Sequence, residues 1–581
     1  MGLTAVAVLN RDVRLYLSAG SATTGRHTTR GFLAALRMTM LRVACTITLL
    51  LAGCNLLMPQ AVTPTTALGP PHFVDETATS GIDHVYDGGP TFAVGGGVAA
   101  FDCNDDGKPD LYLAGGSSPA ALYRNDTSPG GALTFARVPD AATDLDNVNG
   151  AYPIDIDGDG HTDLVVLRNG QSMLLRGLGD CRFERANEAW SFDGVAGWTT
   201  AFSATWEGNA RLPTLAVGHY LQLDATGTAT DDCDQSTLLR PKPDDAGYAP
   251  PLALTPGYCT MSMLFTDWDR SGRRDLRMSN DRQYYVGGQE QLWRMTPGEP
   301  PRLYTDADGW INLQIWGMGI ASYDVTGHGY PDFFLTSMGD NKLQTLTSGS
   351  GQPTYRDIAL KRGVTSAQPF TGGDALPSTA WHAEFQDVNN DGFIDLFVSK
   401  GNVSDMPEAA RRDPSDLFLG QADGAFQEAA DTAGVLNFGR GRGAALVDFN
   451  LDGLLDLVEV NYGQPVRIWR NVGSGDAERP APMGNWLAVR PLGSGPNRDA
   501  IGGWIEVQLG SATMRRELTV GGGHAGGQLG WTHFGLGPSS TAEVRVQWPD
   551  GEVGPWQQVK ANQFVFIDRG GSEPRPWQPP R

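Results

Sequence analysis

Short apolar and β-branched runs recur along most of this chain, each closing on Gly, Asn or Asp. LYLAGG follows Asp110, LVVLRNG follows Asp163, LRMSND follows Asp275, LFVSKGN follows Asp395 and LVEVNYG follows Asp456. Runs this short predict a strand followed by a turn rather than a helix. A second set follows in most units: ALYRN at 121–125, QLWRM at 291–295, DLFLG at 416–420 and VRIWRN at 466–471. Gly97, Gly150, Gly319 and Gly443 each stand five residues ahead of an acidic loop, so glycine recurs at one position of the preceding strand. Towards the C-terminus, WLAVR, GWIEVQLG, ELTV, THFGLG, AEVRVQW and QFVFID read as further strands, with Trp548-Pro549-Asp550-Gly551 as a turn.

The polar positions between the strands repeat as well. DCNDDGKPDL, DIDGDGHTDL, DWDRSGRRDL, DVNNDGFIDL and DFNLDGLLDL start at Asp102, Asp155, Asp267, Asp387 and Asp448. Each puts oxygen-bearing side chains at loop positions 1, 3, 5 and 9 and glycine at position 6. The sets are Asp102, Asn104, Asp106 and Asp110; Asp155, Asp157, Asp159 and Asp163; Asp267, Asp269, Ser271 and Asp275; Asp387, Asn389, Asp391 and Asp395; and Asp448, Asn450, Asp452 and Asp456. Hard oxygens at alternate positions of a tight loop converge on one cation, and Ca²⁺ takes 6–8 of them. Glycine at position 6 permits the bend, and the position 7 carbonyl is a further ligand. The Asp267 loop has Ser271 in place of a carboxylate and is flanked by Arg270, Arg273 and Arg274, so it is expected to bind more weakly. Two degenerate copies fill the gaps: His328 replaces the acidic ligand in the loop from Asp324, and the loop from Thr205 keeps only Glu207 and Asn209. Four or five calcium ions are expected from the seven loops.

Asp448 to Glu459 also satisfies the EF-hand pattern. The other loops carry Leu113, Val166 and Val398 where Glu459 stands, and strands flank them rather than helices, so these are β-hairpin loops. Four strands per unit of roughly 57 residues, repeated around a circle, give propeller blades. The predicted fold is all-β: a seven-bladed β-propeller over 73–473, closed by Phe73-Val74-Asp75 pairing with the last blade, then a small β-rich domain over 480–570 and a tail at 571–581. An open solenoid is the alternative.

The D-x-[DN]-x-D-G-x-x-D loops, each followed by a short apolar strand, resemble FG-GAP/VCBS repeats. That resemblance implies an integrin-α-like propeller with calcium in its hairpin loops. The segments NRDAIGG (497–503), GGGHAGGQLGWTHFGLG (521–537) and VRVQWPDG (544–551) resemble the ASPIC/UnbV domain. Together the two regions resemble bacterial relatives of the cartilage acidic protein family, with His524 standing where an aromatic such as Tyr is expected. Gly521, Gly523 and Gly526 match G-x-G-x-x-G, but no βαβ unit surrounds them, so a turn or a close backbone approach is expected. His524 and His533 are expected to be hydrogen-bonded structural residues, and Trp531, Trp548 and Trp556 to pack in the core.

Arg37 and Arg42 precede an apolar run from Val43 to Leu51, and Leu51-Ala52-Gly53-Cys54 resembles a bacterial lipobox. Residues 38–53 are read as a lipoprotein signal peptide, Cys54 as the lipidated residue and 54–72 as a Pro/Thr-rich tether. Residues 1–37 read as an over-extended start, since Met38 and Met40 are better placed. Asn55 after the cysteine favours the outer membrane. Cys103, Cys181, Cys233 and Cys259 then remain in an oxidising compartment, with three possible pairings. Cys233 with Cys259 is favoured because the two flank a turn-rich excursion, leaving Cys103 with Cys181.

The chain of 581 residues carries 66 acidic against 44 basic residues, a net charge of −22. Without a basic stripe this repels phosphate backbones and excludes nucleic acid as a partner. No G-x-S-x-G elbow, HExxH, P-loop or Cys–His arrangement is present, and the carboxylates are accounted for by calcium. Trp198, Trp206, Trp310, Trp316 and Trp381 either line the central face or pack between blades. The reading is an exported, membrane-anchored, calcium-binding propeller that acts as a binding, adhesion or scaffold module for a protein or glycan ligand, not an enzyme. An accessory factor for a secreted or biosynthetic enzyme system is the alternative, and a hydrolase-type site at the propeller mouth ranks below it.

Overall fold

Val98–Phe101 and Asp110–Leu113 show how each unit forms: the acidic loop reverses the chain, and the strands pair antiparallel with Ala100 opposite Leu111. Every residue of both strands is buried, because each small sheet is packed on both faces by its neighbours. This is why the runs read as continuous apolar stretches rather than as an alternation. The computed structural model describes residues 61–579 except 225, 282–288, 350, 366–377, 405, 407–409 and 411. The signal segment, Cys54 and residues 1–37 lie outside the described residues. Among the described residues, no helix is long and apolar enough to cross a membrane.

Among the described residues, seven four-stranded units follow one another. Their first strands are Val98–Phe101, Val148–Ile154, Gly197–Thr205, Thr260–Thr266, Gly317–Tyr323, Ala380–Gln386 and Gly441–Val447, which we number blades 1 to 7. These strands lie side by side in chain order, and the seventh returns to the first. Phe73–Asp75 supplies the outer strand of blade 7, with Val74 opposite Arg470. One strand from the start of the chain thus completes the last sheet and closes the ring. Blades 2 and 3 are also joined directly, by Trp198 opposite Asn169. The Cys103–Cys181 disulfide ties blade 1 to blade 2, and Cys233–Cys259 ties an extra hairpin of blade 3 to the start of blade 4.

Two further four-stranded sheets follow. One is built on Asn485–Leu492 and the other on Trp504–Leu509. They face each other across a core that includes Leu487, Val489, Ile505, Val507, Phe534 and Val544, the arrangement of a β-sandwich. This domain and the propeller form one compact unit.

A glycine-rich strap of the C-terminal domain, residues 519–529, runs into the centre of the ring. Gly527–Leu529 pairs parallel with the first strand of blade 1, Ala100 opposite Gln528. Further on, Ala151 N–H donates to Ala525 O at 3.1 Å, Ala204 N–H to Val520 O at 3.1 Å, and Gly522 N–H to Met263 O at 2.6 Å. Gly523 N–H donates to Ile320 O at 2.7 Å, and His524 N–H to His382 Nδ1 at 3.2 Å. The strap therefore bonds to the first strands of blades 1 to 6. Two of the glycines ahead of the acidic loops make room for it: a Cβ on Gly97 would stand 1.8 Å from Ala525 O and one on Gly150 1.7 Å, whereas Gly319 and Gly443 first face the neighbouring blade, at Trp381 O and Gly96 O.

The chain between 61 and 72, expected as part of a tether, is instead fixed. Val62 N–H donates to Ser539 Oγ at 2.9 Å, Thr63 Oγ1 to Leu509 O at 2.9 Å, and Leu68 N–H to Asp391 Oδ2 at 2.7 Å. Backbone donors that a free linker would leave to water find partners on the C-terminal domain and on the blade 6 loop.

Candidate metal centres

The five complete or near-complete loops share one backbone arrangement. Position 1 accepts the N–H of the position 6 glycine: Gly107 to Asp102 Oδ2 at 2.7 Å, Gly160 to Asp155 Oδ2 at 3.0 Å, and Gly272 to Asp267 at 3.0 Å. Gly392 donates to Asp387 Oδ2 and Gly453 to Asp448 Oδ2, both at 2.8 Å. Position 3 then accepts the N–H of position 5, in blades 1, 2, 6 and 7 position 5 accepts the N–H of position 7, and in blade 2 one oxygen each of Asp155, Asp157 and Asp159 lies within 4.8 Å of the others. In blade 7, Asp452 N–H donates to both Asp448 Oδ1 and Asn450 Oδ1.

Position 9 has a second job that the spacing did not reveal. Asp110 accepts Cys103 N–H on one oxygen and Asn125 N–H on the other, both at 2.7 Å. Asp163 bonds Ile156 and Gly177 in the same way, Asp395 bonds Val388 and Gly420, and Asp456 bonds Phe449 and Asn471. Each aspartate stitches its hairpin to the third strand of its blade, which explains why all four are buried.

The charge around the loops differs from blade to blade. In blade 4, Arg273 holds Asp275 through Nε at 2.8 Å and Nη2 at 3.0 Å. In blade 2, Arg176 reaches Asp157 at 2.8 Å and Asp159 at 2.9 Å, and in blade 1 Lys108 lies 3.2 Å from Asp106. The degenerate blade 3 loop pairs Glu207 with Arg240 at 2.9 Å. Among the described residues, no Lys, Arg or His forms an ion pair with Asp387, Asp391, Asp395, Asp448, Asp452 or Asp456. Burial, with neighbouring carboxylates adding to it, pushes Asp387, Asp395, Asp448 and Asp456 well above the usual carboxylate range. Burial raises Asp391 and Asp452 to about 6 and Asp155 to about 7. A buried charge needs a partner, and in blades 6 and 7 three clustered carboxylates have no ion-pair partner among the described residues, Arg470 and Arg516 acting on Asp452 and Asp387 only at longer range. These loops fit Ca²⁺ in donor type, and the residues that would hold it are those at positions 1, 3 and 5, with position 9 beside them.

FG-GAP-like repeats match residues 102–166 and 387–459, and ASPIC and UnbV matches residues 493–574. The chain carries FG-GAP-like repeats followed by an ASPIC/UnbV domain. The two repeat segments span the loops of blades 1, 2, 6 and 7, the four with complete oxygen sets. Cartilage acidic protein 1 of Xenopus tropicalis is 26% identical over 246 residues, covering 41% of this chain and 34% of that protein. The Homo sapiens protein is also 26% identical over 246 residues, covering 41% of this chain and 33% of its own length. The match thus spans about a third of the length of these relatives. Among solved structures, Saccharomyces cerevisiae Sqt1 is 12% identical with a TM-score of 0.38, covering 70% of this chain and 99% of that one. The Dos1 propeller is 11% identical with a TM-score of 0.33, covering 70% and 96%.

The ASPIC/UnbV domain packs on the loop side of the FG-GAP blades. Trp577 lies against Gly107, Pro496 against Gly158, Arg498 against Gly160 and Trp486 against Gly453. The protein's own second domain therefore covers these loops. Glu517 takes Asp267 N–H at 2.7 Å and Thr266 Oγ1 at 2.7 Å, so the domain also braces the start of the blade 4 loop. His533 Nε2 bonds Asn390 Oδ1 at 2.6 Å within the blade 6 loop. His524 differs from the expectation of a hydrogen-bonded residue. It is fully buried against Trp381, with ring centroids 5.0 Å apart, and the Val94 and Gly95 backbone lies beside it without a well-formed bond to either ring nitrogen. Trp198, Trp206, Trp310 and Trp381 are buried in packing, and Trp316 is packed against the cluster that holds Trp198 and Trp381.

Proposed function

We propose that this protein is an exported, lipid-anchored calcium-binding scaffold whose propeller and C-terminal domain present a rigid surface to a protein or glycan ligand. The observation that carries the calcium reading is the pair of buried aspartate triads in blades 6 and 7, which have no ion-pair partner among the described residues. Binding rather than catalysis is supported by two features. The loop carboxylates are committed to backbone N–H groups and, on this reading, to ions. The strap also narrows the centre of the ring, where a propeller would take a small substrate, leaving a cavity of about 230 Å³ between it, the first strands and the C-terminal domain. The ligand face is then the one away from the loops, since the C-terminal domain occupies the loop side. Metal analysis after dialysis, paired with melting in calcium and in EGTA, tests the reading. Four or five retained ions and a large stabilisation are expected, whereas an unchanged melt in EGTA would sink the calcium role. Extraction with detergent but not with salt from the native envelope is expected for the lipid anchor.

A further inference from the structure

Blade 5 keeps the loop and changes its donor. Gly329 N–H donates to Asp324 Oδ2 at 2.9 Å, the same bond that closes the calcium-type loops. At position 5, however, stands the imidazole of His328, and at position 3 the hydroxyl of Thr326. Each carboxylate commits one oxygen to the protein. Asp324 Oδ2 takes Gly329 N–H and lies 3.2 Å from Arg515 Nη1, while Asp332 Oδ2 takes Thr326 N–H at 2.8 Å and Thr326 Oγ1 at 2.9 Å. The remaining oxygens turn towards His328: Asp324 Oδ1 lies 3.2 Å from Nδ1, and Asp332 Oδ1 lies 3.9 Å from Nε2. One donor atom from each of the three residues falls within 4.8 Å of the others.

Asp332 supplies an independent observation. Its residue is fully buried, yet Oδ1 has no hydrogen-bond partner among the described residues. In blades 1, 2, 4, 6 and 7 the equivalent oxygen accepts an N–H from the third strand. In blade 5 no backbone N–H takes that place: the Thr345 hydroxyl of the third strand lies beside Asp332 without a well-formed bond to Oδ1, and a buried acceptor left incompletely satisfied costs free energy unless something fills it.

We propose that the Asp324–His328–Asp332 loop binds a divalent transition metal of the zinc class rather than calcium. Calcium takes oxygen ligands, whereas a nitrogen donor beside two carboxylates suits Zn²⁺ at about 2.0–2.2 Å, with a fourth position left for water. His328 is exposed at the surface, which gives the ion a path in. Arg515, reaching over from the C-terminal domain, holds the outer oxygen of Asp324 and leaves the inner one for the metal. The site also joins the two domains.

The test uses the whole mature protein, saturated with calcium at millimolar concentration so that the all-oxygen loops are filled. Zinc is then added, and the excess is dialysed away against the same calcium buffer. One zinc per chain is expected in the native protein and none in His328→Ala. His328→Asp, which restores an oxygen donor, is expected to lose the zinc and gain one calcium. Cobalt in place of zinc should give visible d–d absorption that His328→Ala abolishes, which reports ligation independently of stoichiometry. Both variants change an exposed side chain, and their melting in calcium checks the fold. Zinc lost from the native protein on dialysis, or held equally by His328→Ala, would overturn the assignment. The calcium count in the same samples keeps that outcome separate from the calcium reading of the other loops.

Discussion

Gly150 lies directly beneath the carbonyl of Ala525: a Cβ added to it would stand 1.7 Å from that oxygen, which accepts the N–H of the next residue, Ala151, at 3.1 Å. Gly150→Ala must therefore expel the strap or distort the blade 2 strand. Overpacking of this kind costs roughly 1–3 kcal/mol, and each kcal/mol moves the midpoint of a chain this large by at most about 2 °C. Melting lower by a few degrees, with new protease cleavage within 519–529, is the expected outcome. Gly89→Ala serves as the control, since its φ is −75° and nothing lies within 4 Å of its Cβ position. Equal melting of the two variants would show that the strap is not seated in solution.

The strand–loop repeat was legible because its spacing is local. Asp102 and Asp110 sit on one hairpin, and their period recurs through Asp448 and Asp456. The strap was not legible in the same way. Gly521, Gly523 and Gly526 could be read only as a close backbone approach, because the partners at Gly97, Gly150 and Gly319 lie hundreds of residues away. The glycines ahead of the blade 1 and blade 2 loops were visible, but their cause belongs to the other domain. The role of position 9 was hidden for a related reason: a metal ligand and a buried acceptor both call for aspartate, and only the bonds to Asn125, Gly177, Gly420 and Asn471 separate them. The Pro/Thr-rich composition of residues 61–72 pointed to a tether, and composition does not report that Leu68 N–H meets Asp391.

Asp448→Asn separates the two roles of a buried carboxylate. In calcium it is expected to remove one ion and lower the melting temperature, because a charged ligand has been lost. In EGTA the sign reverses, and the variant melts above the native protein, since the native triad with Asp452 and Asp456 must then hold charge without an ion or take up protons to remove it. Calorimetry in both buffers checks the crossing. A variant less stable in both would assign Asp448 to hydrogen bonding alone.

Calcium-free protein is expected to lose stability as pH rises from about 4 to 8. Burial holds Asp155 at about 7 and Asp267, Asp391 and Asp452 at about 6 in the folded state, against about 3.9 when unfolded. The folded chain therefore binds protons that the unfolded chain has released, and its stability falls through that window. With calcium present the trend should flatten or reverse, because protons compete with the ion for the same oxygens. Melting curves at pH 5, 6, 7 and 8, with and without calcium, check both slopes.

Arg273 stands in blade 4 where an ion would otherwise offset Asp275. The carboxylate is fully buried and also accepts Trp268 Nε1 at 2.8 Å and Tyr304 Oη–H at 2.9 Å. Arg273→Gln removes the charge and leaves Asp275 buried without it. Because the guanidinium is part-exposed, the expected cost is at the low end for such pairs, about 3 kcal/mol in EGTA. Calcium should restore most of the loss and add one ion to the count. If calcium does not rescue the variant, the blade 4 loop lacks a usable oxygen set.

His524 sits at the tip of the strap with no exposed surface, and burial holds its imidazole down at about 3, so it stays neutral throughout the physiological range. The Arg442 guanidinium lies 4.1 Å over the same Trp381 ring and adds to the penalty on a second positive charge. With neither ring nitrogen well bonded, the residue acts as a flat aromatic filler that carries the desolvation cost of two polar atoms. His524→Phe keeps the ring, drops those atoms and is expected to raise the melting temperature by at most about 2 °C, corresponding to about 1 kcal/mol. His524→Ala leaves a cavity against Trp381 and is expected to lower it. Should His524→Phe prove destabilising instead, a bonded partner for the imidazole, such as a buried water beside Gly95, would have to be present in solution.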